Sequence, residues 1–236
     1  MRIRPALTLC TLLAAPALAL AAPAAEPVRQ LGVYVPPYYA AGATFAEAPK
    51  VVVDPAYDTL LASMKQADIK KARDAIAARP DMVKPETMMV LAIRLYDVGL
   101  RDDALFWYYA GRDRFLTMDA VLDMRSLRLV KVAETMESFV GAIGDAMEGY
   151  AYCDVARHQE REDRAIAWVA VHPYALLGDA GLPALQEDRN AALRDALARL
   201  QQASARSQAY LATPEGQAKL AAARQRNQDD LRFCWK

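Results

Sequence analysis

Four consecutive aromatic residues, Phe106-Trp107-Tyr108-Tyr109, run into Arg112-Asp113-Arg114. Aromatic rings and guanidinium groups are the side chains that most often anchor a protein partner. Trp107, Tyr109, Arg112 and Arg114 therefore read as a recognition patch. The competing reading puts alternate rings in a core and pairs the arginines with Asp97, Asp102 or Asp103. A second run, Arg157-His158-Gln159-Glu160-Arg161-Glu162-Asp163-Arg164, offers Arg157, His158 and Arg161 as a docking surface for a charged partner. Its plainer meaning is a solvated helix face braced by pairs such as Glu160–Arg164. His158 and His172 stand 14 positions apart and form no H-x-x-x-H pair. Metal chemistry is therefore not expected, and no cofactor is implied. Cys153 and Cys234 are expected to pair in an oxidising compartment, closing a link across 81 positions. Without a C-x-x-C motif that bond is structural and not redox-active.

Glu137-Ser138, followed by Gly141-Ala142 and Gly144, resembles pieces of the lytic transglycosylase motif. That resemblance implies a helical glutamate acting as general acid and base on a glycan strand. Here only Phe139-Val140 separates the two pieces, where the family has an intervening loop. Glu137 also flanks a continuous apolar stripe, and one helix face supplies no cleft. A peptidoglycan-cleaving enzyme using Glu137 is accordingly the minor reading. G-x-S-x-G, P-loop, H-E-x-x-H and Gly-rich dinucleotide motifs are all missing, so no enzymatic activity is expected. Basic and acidic residues number 29 each, which leaves no cationic surplus for a nucleic acid.

The elements that must carry these residues are mostly helical. The 236 residues are 54% hydrophobic and 25% charged, the balance of a globular chain. Residues 1–25 read as a secretory signal: Arg2 and Arg4, then an apolar run from Ala6 to Leu20, then Ala19-Leu20-Ala21 as the cleavage pattern. Cleavage after Ala21 is expected to deliver the chain to the periplasm or the exterior. The run is too short and too broken by Pro16 to span a bilayer. No later stretch of such length follows, so the mature chain is expected to lack a transmembrane segment.

Ten of 13 prolines precede residue 86, and helix interiors exclude proline. Residues 22–57, rich in proline and tyrosine, form an extended arm, with Val51-Val52-Val53 as a short strand. The arm either packs across a helical body or serves as a recognition strip; packing is the favoured reading. From residue 58 to 236 the pattern is one all-helical domain. Asp68 is expected to cap one helix, Pro85 to open the next, Gly99 to end it and Arg101 to start another. Residues 127–149 show a continuous stripe from Leu129 to Met147. A long helix is expected from about 184 to 211, and Thr213-Pro214 should open the last one, before a tail pinned by Cys234.

Residues 86–114 space Leu91-Ala92, Leu95, Gly99, Ala104, Tyr108 and Gly111 so that two antiparallel helices can approach closely. This resembles one tetratricopeptide or Sel1-type hairpin. A weaker copy precedes it within 58–115, with Ala72 standing 32 positions before Ala104 and Ile76 matching Tyr108. The fold class expected is all-α, with a tetratricopeptide-like pair of hairpins packed on longer C-terminal helices. The stretch from Arg94 to Tyr109, between a signal segment and a tail ending Phe233-Cys234-Trp235, resembles uncharacterised periplasmic all-helical proteins of Gram-negative bacteria. Some proteins of that kind look like immunity partners of secreted antibacterial effectors. The resemblance implies binding of another protein; an envelope assembly module is the alternative.

Overall fold

The computed structural model describes residues 25–235; the expected signal segment lies largely outside them. The arm forms a small antiparallel meander of β1 (Tyr34–Val35), β2 (Tyr39–Ala40) and β3 (Lys50–Val51). Its register pairs Val35 with Tyr39, and Tyr39 with Val51. Alternation along such short strands sends Val33, Val35, Tyr39, Val51 and Val53 into the core. The arm therefore packs on the body.

The helices follow as α1 (Asp58–Leu61), α2 (Gln66–Ala77), α3 (Pro85–Asp97) and α4 (Arg101–Val121). Then come α5 (Val130–Ala151), α6 (Val155–Val171), α7 (Arg189–Leu211), α8 (Pro214–Asn227) and α9 (Asp229–Arg232). The chain is all-α apart from the meander.

The centre is the α3–α4 hairpin. Pro85 occupies the first turn of α3, where its missing N–H costs nothing. Gly99, at φ +82°, makes the reversal into α4. The helices run so close that a Cβ on Gly111 would stand 3.1 Å from that of Met88. Ala92 and Ala104 are likewise fully buried. The preceding unit is truncated: Ala72 and Ile76 are buried on α2 as expected, but α1 is a single turn. Asp58 limits it, accepting from the N–H groups of Val53 and Asp54 and fixing the arm at its start.

Two boundaries differ from the sequence reading. Asp68 lies inside α2, where the Ser63 hydroxyl donates to it at 2.7 Å; Lys65 is at the cap position. The helix expected from 184 begins at Arg189. Asp188 caps it through the Ala191 N–H, and the preceding residues pair instead with the end of α4, Asp123 N–H to Pro183 O and Leu185 N–H to Val121 O. Those pairings enclose a second, smaller core of Met118, Leu122, Leu129, Tyr174 and Leu182. Thr213 caps α8 as expected.

Cys153 and Cys234 form a disulfide. Beside it, the ring of Phe233 lies against Gly149 of α5, where any Cβ would overlap it. Gly149→Ala should therefore displace the ring and destabilise the protein by about 1–3 kcal/mol, measured by chemical denaturation. Reduction of the disulfide should cost about 2–4 kcal/mol, seen as a lower midpoint in the same experiment with reductant present.

Candidate functional site

The sequence singled out seven partner-binding residues, and the structure scatters them. Trp107, Tyr109 and Arg114 are buried and present no surface to a partner, and the buried His158 reaches only the wall of a recess beside Arg157, which corrects the expected patch. The cause is the position of α4, which is covered by α3, α5, α6 and α7 together. Residues 104–111 are buried without interruption, so consecutive rings all find neighbours. Trp107 meets Phe106 and Trp168 edge-on, at 5.3 and 5.4 Å between centroids. The Tyr109 hydroxyl and His158 Nδ1 share a hydrogen bond of 2.9 Å. Burial lowers the pKa of His158 and raises that of Tyr109. Both groups are thereby kept neutral.

Arg114 donates to three backbone carbonyls, those of Pro80, Val83 and His172, at 2.6–2.7 Å. It also lies against the rings of Trp168 and Tyr174. Burial lowers its pKa to about 10, so it remains charged at neutral pH. Arg112 covers the Tyr109 ring at 4.7 Å and pairs with both Asp113 (3.0 Å) and Glu162 (3.2 Å). Arg157 is exposed, bonded to Asp102 and Asp154. Arg161 is half-buried beside Glu160 and Asp102. Asp102 thus takes the helix-face arginines, while Asp97 pairs with Arg94 and Asp103 with Arg73. No Glu160–Arg164 pair forms among the described residues; Arg164 instead covers the Phe106 ring. Glu137 is exposed on the outer side of α5, and the neighbouring Ser138 hydroxyl donates to Glu134 O.

Arg157 and His158 border a recess of about 270 Å³ with the disulfide and Trp235, and two further recesses lie on either side of Tyr38. On one side, residues 34–38 and the Lys131, Glu134, Thr135 and Ser138 side of α5 enclose a groove of about 610 Å³. Tyr34 stands on its rim, 72% exposed, and the exposed Pro36–Pro37 bond beside it is cis. On the other side lies a cavity of about 290 Å³ at the junction of α3, α4, α5 and the segment 174–182. Pro85, Met118, Leu129, Val132, Leu176 and Leu182 make its walls apolar. Glu86, Tyr38 and Tyr174 line it as well, with Lys84, Arg128 and Asp179. Glu86 is only 3% exposed. Burial raises its pKa, opposed by its own backbone N–H and by Lys84. Sequence reasoning missed this residue, because a glutamate in a first helical turn needs no more explanation than the helix dipole. Among the described residues no cluster of His, Cys, Asp and Glu fits a metal ion.

Fold and recesses together define an all-helical, disulfide-tied protein with two open recesses flanking Tyr38. A protein of Haemophilus influenzae (strain ATCC 51907 / DSM 11121 / KW20 / Rd), described as "Uncharacterized protein", is 32% identical to the chain over 210 residues. The match spans 89% of this chain and 81% of that protein, and the chain belongs to the same family. No family model matches the sequence, and no solved structure matches it. No helix among the described residues is long and apolar enough to cross a membrane.

Asp113 gives the buried network a measurable signature. It is fully buried, one oxygen receives Arg112, and Oδ2 has no partner. Arg112 divides its charge with Glu162, so burial prevails and raises the Asp113 pKa to about 6. The unfolded value is about 4, so the folded state holds the proton more tightly between the two. This contribution to stability is complete below about pH 4 and is lost as pH rises through 6. Asp113→Asn should flatten that decline, by about 2 kcal/mol between pH 4 and 7 in urea titrations.

Proposed function

We propose that the mature protein is exported to the periplasm, with cleavage near Ala21, and acts by binding another protein without chemistry of its own. The reading is an immunity-type inhibitor of a secreted bacterial effector. The groove beside α5 carries it: Tyr34 and the Pro36–Pro37 turn face Lys131 and Glu134 across a recess open to solvent. An exposed ring, a rigid turn and both signs of charge suit a polypeptide segment. The arm behind the groove is fixed by Arg94, whose guanidinium binds Asp97 (2.6 Å), Leu61 O and Ser63 O. Asp97 in turn accepts from the Leu31 N–H at 2.7 Å and from the Tyr39 hydroxyl. A preorganised surface loses little freedom on binding. Disulfide, signal-like segment and membership of a family represented in a Gram-negative bacterium support the compartment.

The test combines physiology with a groove variant. Cells lacking the protein should become sensitive to effector-secreting neighbours, and the wild-type chain should restore resistance. The double variant Tyr34→Ala, Lys131→Glu should fail to do so. Both sites are exposed, and the change costs only the surface Lys131–Glu134 pair, so its stability should fall by no more than about 1 kcal/mol. An insensitive deletion strain rules out the immunity role. Export is checked separately by mass spectrometry of the periplasmic fraction, where a chain starting at Ala22 is expected.

A further inference from the structure

We propose that the Glu86 cavity is a binding site for a primary ammonium group carried on a short apolar stem. The inference is independent of the groove, from which Tyr38 separates the cavity. Glu86 carries it. Its carboxylate borders the recess and receives no hydrogen bond from any side chain among the described residues. A largely buried carboxylate that can reach solvent only through this recess favours a cation bound there. The buried cation Arg114 is turned to other partners: it lies over the far wall, Tyr174, and gives both terminal nitrogens to three carbonyls. Lys84 is exposed and forms no ion pair with the carboxylate.

The remaining walls fit such a ligand. Tyr38 and Tyr174 flank the carboxylate, and ring faces attract ammonium groups. Met118, Leu129, Val132, Leu176 and Leu182 offer apolar wall to methylene groups; Asp179 and Arg128 also line the recess, and Arg128 donates to Gly181 O. At about 290 Å³ the cavity lies at the lower end of ligand sites, which run from roughly 300 to 1,000 Å³, so the stem must be short. The chemistry is shared by a free alkylamine and by the side chain of a partner's lysine, which ends in the same butylammonium.

Calorimetric titration of the full chain with its disulfide intact tests the site. The probe n-butylammonium should bind once per chain, n-butanol at least tenfold more weakly, and butyrate not at all. Glu86→Gln keeps the shape and removes the charge, and should weaken n-butylammonium at least tenfold. Should that variant fold poorly, Leu176→Trp fills the cavity from its half-exposed wall and should abolish the binding. Alcohol binding as tightly as the amine, unchanged binding by Glu86→Gln, or no heat at millimolar n-butylammonium would each overturn the proposal. Nα-acetyl-lysine methylamide is the second arm. Binding it more tightly than n-butylammonium assigns the site to a polypeptide lysine, and weaker binding assigns it to a free amine.

Discussion

Helix α3 cannot be satisfied by a single neighbour. Its residues Pro85–Tyr96 are all buried, so its entire circumference must be covered. The return helix α4 covers one side, and α1, α2, α5 and the arm close the rest. Each fully buried Leu, Ile or Met contributes about 1.5–3 kcal/mol, which makes coverage of α3 the dominant demand on the rest of the chain. The two-residue strands of the arm would be marginal in isolation; they persist because Val33, Val35 and Tyr39 complete that cover.

The same demand explains why the internal charges sit where they do. A helix buried all round tolerates ionised groups only where its surroundings answer them. At the C-terminal end, Arg94 and Asp97 answer each other and collect loop carbonyls, an arm N–H and the Tyr39 hydroxyl. At the N-terminal end Glu86 has its own backbone N–H, the exposed Lys84 nearby and a recess. On α4, Arg114 gives both terminal nitrogens to backbone oxygens while its Nε has no partner, which ties residues 80–83 to the end of α6. These groups act mainly as registration pins: each fixes one segment against another at a single position.

How much of this could be read from the chain differs by residue. Pro85, Gly99 and Thr213-Pro214 are local punctuation, set by backbone sterics and missing donors, and they mark real boundaries. The disulfide followed from counting thiols, and the stripe from Leu129 to Met147 from helical period. The aromatic-arginine run misled because burial of α4 on several sides erases periodicity, leaving a core helix that resembles an adhesive patch. Asp68 misled because Ser63 competes for its carboxylate. Neither Glu86 nor the groove was legible, since both arise where distant segments meet, and no spacing along one element encodes them.

Trp235 has a consequence for how the molecule opens. Arg29 and Arg101 contact its ring at 4.6 and 3.8 Å, Arg101 also holds the Phe233 and Trp235 carbonyls, and the Val28 N–H bonds to Arg232 O. The first and last described segments are thus stitched to one another and to α4. Cys234 also ties the last segment covalently to Cys153, so residues 28–31 are held against a pinned tail. Across the described residues the chain is in effect a closed ring, well suited to being cut open at a distant loop and rejoined at this seam.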